Sequence, residues 1–296
     1  MPIKMRTYQN DGKFCPDYTK LRDFLLALDS HNYHFGRWDW MITHGYLDES
    51  GINRIGFWED EGKLVAVATY DTQLGGAYLL ALPGYERLKA EMLRYAKEAL
   101  AKDGSFRALI LDGDLAFQDI AAEQGFYPTQ DKECDAVYPI GDLSKIRYEL
   151  PNGFTVTSMK DTFDLYKYGQ ALWKGFNHEK NGEGPFTWKE EELPLYEIGF
   201  LRPNVNLDLK IAVVAPNGDF VSYCGMWQDS ASQSALVEPV ATDPAYRKMG
   251  LGRAAVLEGV RRCGELGAKR AFVGSSQQFY YRIGFRPWAT STWWKL

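Results

Sequence analysis

The sequence predicts an α+β (α/β) chain of two tandem domains, 1–145 and 146–296, each a mixed, mostly antiparallel sheet flanked by helices. Three observations predict it. One order of elements occurs twice: strand, helical segment, three antiparallel strands, long helix, strand, short helix ending in Gly-Phe, strand. Each pass closes on a similar tail, AAEQGFYP around Gly125 and YYRIGFRP around Gly284. Only the second pass carries a basic glycine loop, Arg247-Lys248-Met249-Gly250-Leu251-Gly252, between its third core strand and its long helix.

In the first pass, 3–8 is expected to be a strand and 17–28 a helix, with Leu21, Phe24, Leu25 and Leu28 recurring on one face. Residues 31–53 show no clear period. His31 and His34 lie three apart there, but no nearby Cys or third His completes a metal set, so no metal is expected. The segments 54–59 and 63–70 form a hairpin around Asp60-Glu61-Gly62, because Leu64 to Ala68 is strongly strand-like. A short strand at 77–82 follows. A helix at 85–102 then carries Leu88, Met92, Tyr95 and Ala99 on one face. Strand 106–111, helix 115–124 and strand 137–140 complete the pass, and 141–152 joins the halves.

In the second pass the strands are 154–158, 209–215, 220–227, 235–241, 270–273 and 286–293. Helices are expected at 163–176, 188–196, from the glycine loop to about 265, and at 276–282. The first copy reads Leu82-Pro83-Gly84-Tyr85 where the second has its glycine loop, and Ala121 where the second has Tyr280.

Composition bounds the function. With 45% apolar and 25% charged residues the chain has material for two cores and is not disordered. A net charge of −5 argues against a nonspecific nucleic-acid binder. No uncharged apolar run reaches membrane-spanning length, and no signal peptide is visible. Cys15, Cys134, Cys224 and Cys263 are too scattered for a disulfide framework or a zinc site and suit a reducing compartment. A cytoplasmic protein is expected, as a monomer or a homodimer.

A small-residue loop that opens a helix leaves backbone N–H groups unpaired at the positive end of the helix dipole, a seat for phosphate or pyrophosphate. Arg247 and Lys248 add charge there. The competing reading is an ordinary connection whose glycines only close a turn.

The order of elements, with PAYRKMGLG after the third core strand and FYYRIGF near the end, resembles the GCN5-related N-acetyltransferase (GNAT) superfamily. The doubling resembles its tandem members, here with a degenerate N-terminal copy. The resemblance is specific over about 235–286. In that family the pattern Gln/Arg-x-x-Gly-x-Gly/Ala binds the pyrophosphate of acetyl-coenzyme A, and Arg247 to Gly252 matches it. The resemblance therefore implies acetyl-CoA as cosubstrate. Implied contacts are Val240, Ala241 and Thr242 on the strand, then Arg247, Lys248, Met249, Gly250, Leu251, Gly252 and Arg253, and Ser275 beyond. It also implies that 235–241 splays from 270–273 to admit the cofactor. Pro239, which has no N–H for a central ladder, fits a bulge there, or else a strand end.

Glu238 is the candidate general base, beside the expected thioester; the alternative is a surface or Arg-bonded Glu. Tyr280 fits the family's Tyr-x-x-x-Gly-Phe and is the candidate proton donor to the coenzyme A thiolate, against a packing role; Tyr281 lacks the spacing. The acceptor wall is expected from Trp173, Phe176, His178, Glu179, Glu183 and Trp188, with Tyr223 and Trp227 from the neighbouring strand. Aromatic walls with carboxylates suit a small-molecule amine. Ser275 and Ser276 lie in no nucleophile motif, so direct transfer in a ternary complex is expected rather than an acyl-enzyme. Other readings are a different acyl group, a protein amine, or a coenzyme A-binding regulatory or structural protein. A nicotinamide dehydrogenase fits poorly, because its glycine motif follows an early strand of a parallel sheet.

Overall fold

The computed structural model of the chain describes residues 2–187 and 190–296; Trp188 lies outside them. In chain order the elements are β1 (Lys4–Thr7), α1 (Pro16–Leu28), α2 (Phe35–Met41), β2 (Gly56–Asp60), β3 (Lys63–Thr69), β4 (Gly76–Ala81), α3 (Lys89–Ala99), β5 (Arg107–Leu111), α4 (Leu115–Glu123) and β6 (Tyr127–Pro139). The second series is β7 (Thr155–Ser158), α5 (Leu165–Gly175), α6 (Leu193–Phe200), β8 (Lys210–Val214), β9 (Phe220–Gln228), β10 (Ser234–Thr242), α7 (Leu251–Glu265), β11 (Arg270–Val273), α8 (Gln278–Arg282) and β12 (Arg286–Lys295).

The fold class is as the sequence predicts, but the compact units are not two successive halves. Unit 1 comprises the chain through Asp135 with Gly274–Ser276 and Pro287–Leu296; unit 2 comprises Ala136–Val273 and Gln277–Arg286. Unit 1 orders its strands β1-β2-β3-β4-β5-β12, all antiparallel except β4 with β5. The strand beside β5 thus comes from the end of the second half. Unit 2 orders β7-β8-β9-β10-β11, antiparallel except β10 with β11, and closes on residues 136–139 of β6 beside β11. Unit 1 therefore takes in a strand that the sequence assigns to the second half, and unit 2 takes in the end of a strand that it assigns to the first.

In unit 2, β9 is buried along both faces; its side chains alternate from Ser222 onward, and a register shift against β8 at Val221 resets the alternation before that point. Cys224 and Met226 join the core under α7 with Ala254, Ala255 and Val256. Phe220 and Tyr223 join a second core with Leu165 and Ala171 of α5. Helix α7 buries Val256, Val260 and Cys263 together, as their spacing predicts.

A buried carboxylate stands on α7. Glu258 accepts from Arg261 Nη2 at 2.8 Å, Arg262 Nε at 2.7 Å and the Tyr148 hydroxyl at 3.0 Å. Burial opposes its ionisation, yet these donors prevail and hold its pKa down at about 2. A carboxyl lowered on folding stabilises above its unfolded pKa and loses that contribution as pH falls. Stability should therefore decline between about pH 5 and 2, with an upper bound of about 3 kcal/mol from this group. Glu258→Gln should flatten that part of a melting-temperature profile; an unchanged profile would refute the assignment.

Candidate active site

The site begins where β10 leaves its neighbours. Among the described residues, the parallel ladder with β11 covers only 234–236 against 270–272. Beyond that point, among the described residues, β10 is laddered to its antiparallel partner β9. On the β9 side, Val237 faces Met226 and Val240 faces Cys224, so one extra residue is inserted between them. This register shift holds Glu238 and Pro239, which agrees with the bulge expected at Pro239. Gly225 makes room for it. A Cβ there would stand 2.5 Å from the Glu238 carbonyl oxygen and 3.0 Å from Pro239 Cδ.

At the end of β10 the chain turns into the glycine loop. Asp243 Oδ1 accepts from the Ala245 N–H at 2.9 Å and fixes the turn. Lys248 and Gly250 have φ of +66° and +84°, and Gly250 is the N-cap of α7. The Ala254 N–H bonds back to Gly250 O at 3.0 Å, so the N–H groups of Leu251, Gly252 and Arg253 belong to the first, open turn. Leu251 anchors that turn in the core, while Met249 is exposed. Gly252 allows close approach, since a Cβ would lie 3.0 Å from Thr242 Oγ1, itself 2.8 Å from Ser222 Oγ.

Arg247 and Lys248 have different surroundings. The Arg247 guanidinium donates to Thr242 O at 3.1 Å and Gly175 O at 2.7 Å, tying α5 to β10. Lys248 is exposed beside the open amides. Arg253 donates to Arg147 O at 3.2 Å. Ser275, expected among the cofactor contacts, belongs to unit 1 by its packing, whereas the loop belongs to unit 2.

Tyr280 sits on α8, held by the tail motif. The Phe285 N–H bonds Tyr280 O at 3.0 Å, and its ring packs edge-on against Phe279 and Phe285 at 5.0 and 5.4 Å. Gly284, at φ +114°, lets the tail pass the Tyr138 ring, which a Cβ would meet at 2.7 Å. Burial, reinforced by Cys224 and Glu238, pushes the Tyr280 phenol well above its ordinary pKa. The phenol therefore keeps its proton at neutral pH, and the charge of the half-buried Glu238 adds to that shift. Cys224 was not singled out by the sequence, where nothing separates it from any apolar strand residue. Burial keeps it a neutral thiol.

The acceptor residues divide. Trp173 stacks on His178 at 4.3 Å and donates its indole N–H to Gly184 O at 3.0 Å, while His178 Nδ1 lies 2.8 Å from Glu183 Oε1. These three fasten the 178–184 loop onto α5. Phe176 is 46% exposed. Glu179 lines a cavity of about 590 Å³ with Lys174, Lys180 and Tyr246, at the loop end of β10. Tyr223 and Trp227 are corrections. They are 1% and 5% exposed, and the Tyr223 ring packs edge-on to Tyr168 at 4.8 Å, so neither offers a wall to solvent.

Unit 1 repeats the frame without the seat. Strands β4 and β5 pair in parallel over three residues, as β10 and β11 do. In the following turn, however, the Gly84 N–H donates to the Glu86 carboxylate, at 3.1 and 2.9 Å to its two oxygens. That turn therefore already has its amide bonded to a carboxylate of the chain. Ala121, at the position of Tyr280, is fully buried. The 540 Å³ cavity of unit 1 opens at Gly76 and Arg107, the beginnings of β4 and β5 rather than their loop ends.

Residues 173–285 match the family model described as Acetyltransferase (GNAT) family. The chain is similar in structure to a GCN5-related N-acetyltransferase from Sphaerobacter thermophilus, with 14% identity, 99% of this chain and 95% of that one covered, and a TM-score of 0.59. It is also similar to a tandem GNAT protein from the clavulanic acid biosynthesis pathway, at 12% identity, 100% and 98% coverage and a TM-score of 0.59. Saccharomyces cerevisiae N-myristoyltransferase, with bound myristoyl-CoA, is similar at 12% identity, 100% and 81% coverage and 0.51. Identities this low speak for the fold alone. No curated protein matches the sequence.

Proposed function

We propose that this chain, whose residues 173–285 form a GNAT acetyltransferase domain within a tandem GNAT fold, moves an acetyl group from acetyl-CoA to the primary amine of a small molecule. The GNAT fold supports acyl transfer from an acyl-CoA; the acetyl group, the small-molecule amine and the roles below are the proposal. The observation that carries it is the bulge in β10. The ladder of β10 with β11 stops at Leu236, the bulge follows, and the strand runs on to a helix N-terminus with open first-turn amides, while the Glu238 charge acts on the Tyr280 phenol.

The thioester supplies an activated acyl carbonyl. Lys248 and the first-turn N–H groups of α7 would hold the diphosphate, and β10 around Val240 would hold the extended arm. Glu238 takes a proton from the substrate ammonium, directly or through a water, so the amine nitrogen can attack the carbonyl carbon. As the C–N bond forms and the C–S bond breaks, Tyr280 gives its proton to the departing thiolate. The products are the N-acetylated amine and free coenzyme A. A phenol with a raised pKa remains protonated through about pH 10, so Tyr280 should impose no alkaline fall in rate below that pH.

Thiol release from acetyl-CoA with a panel of small amines tests the reading. Glu238→Gln should lower kcat by about a hundredfold and Tyr280→Phe by about tenfold, with acetyl-CoA affinity kept. Tight acetyl-CoA binding without amine-dependent thiol release would favour a coenzyme A-binding regulatory protein instead.

A further inference from the structure

Trp227 is buried beside the bulge, where the sequence alone suggested a substrate wall. Its indole Nε1–H donates to the backbone carbonyl of Glu238 at 2.9 Å. Lys210 Nζ lies 3.4 Å from the ring centroid and donates to Met226 O at 2.9 Å, and the Arg202 guanidinium lies 4.8 Å from the same ring. Two cations thus hold one aromatic plane in a fixed orientation. From the neighbouring β9 position, Gly225 leaves a gap of the right size for that carbonyl, with 2.5 Å from a notional Cβ to the oxygen.

A bulge breaks the regular ladder, and its carbonyls need donors the ladder no longer provides. Pro239 brings no N–H of its own. We propose that Trp227, with Gly225 beside it, is a positioning residue: its indole N–H fixes the Glu238 peptide and so aims the Glu238 carboxylate. This rests on the reading of Glu238 as the base. The device needs no contact with substrate, which agrees with the burial of Trp227. It also gives the strand a reason to carry an indole rather than another large apolar ring: Phe would fill much of the space but could not donate.

The test is Trp227→Phe, which removes the donor and keeps a ring, and Gly225→Ala, which crowds the same carbonyl. A carboxylate moved by a fraction of an ångström should cost about tenfold in kcat. The KM for acetyl-CoA and the calorimetric affinity for coenzyme A should stay within about twofold, because the diphosphate seat is untouched. The acid limb of the kcat/KM profile should move, since the Glu238 environment changes. The double variant should lose little more than the worse single one, as both act on one peptide. A folded Trp227→Phe protein with unchanged kcat and pH profile overturns the proposal. Hydrogen exchange of the Trp227 indole N–H is a readout independent of catalysis: slow exchange supports the clamp, and exchange as fast as an exposed indole overturns it. A wild-type protein that binds coenzyme A but releases no thiol with any amine would instead overturn the base reading, leaving the exchange result to judge the clamp.

Discussion

Removal of residues 287–296 should abolish cooperative folding of unit 1. Those residues supply nearly all of β12, which pairs with β5 from Ser291↔Leu111 to Lys295↔Arg107. Trp293 and Trp294 are 6% and 8% exposed and belong to the core of unit 1. The Trp293 indole N–H reaches Glu133 Oε1 at 3.1 Å, and the Thr292 hydroxyl reaches Asp112 Oδ1 at 2.5 Å. Truncating one buried Trp to Ala costs about 3–5 kcal/mol, so losing both approaches the 5–15 kcal/mol that stabilises a whole domain. Circular dichroism and thermal melts of the shortened chain should show a broad, early transition. A sharp melt within a few degrees of the full-length protein would refute the strand assignment, and Trp294→Ala in the full chain gives the same test with a milder lesion.

The second large effect concerns the diphosphate seat. A Lys248→Glu, Gly252→Val protein should bind coenzyme A about a thousandfold more weakly, because a reversed charge and a blocked amide each remove a charge-assisted contact of about 2 kcal/mol. Gly252 has no room for a larger side chain without moving Thr242 or Phe279, 3.0 and 3.4 Å from a notional Cβ. Lys248→Glu alone should leave the melt unchanged, since that side chain is exposed. Arg247→Ala should act differently, through the α5–β10 join that its guanidinium makes, and lower stability along with affinity. Coenzyme A titrations in which Lys248→Glu with Gly252→Val binds as tightly as wild type would remove the seat from the proposal.

Much of this was legible in the sequence because it is local. The glycine loop, the Pro239 irregularity and the Leu21, Phe24 and Leu25 face of α1 each follow from a few neighbouring residues. Other features are not local. Strand β6 runs from Tyr127 to Pro139, but the sequence predicts a strand only at its end, because residues such as Gln130, Asp131 and Lys132 are exposed and show no apolar alternation. Helix α2, within 31–53, is opened by the His34 ring, whose Nδ1 accepts from the Gly36 N–H at 3.0 Å, a cap outside the usual Ser, Thr, Asp and Asn set. The choice of partner for the two tail strands depends on the whole sheet, so the repeated order of elements carries no sign that the units trade them. The burial of Tyr223 depends on which face of β9 meets α5, and a central strand apolar on both faces carries no such signal.

That exchange sets an order of events during synthesis. A ribosome delivers β5 long before β12, which begins 179 residues later by the positions of their first residues (107 and 286). Until the C-terminus emerges, the flank of β5 is an unsatisfied sheet edge of the kind that recruits stray strands. The nascent first unit must wait, guarded or idle, for the closing words of its own message.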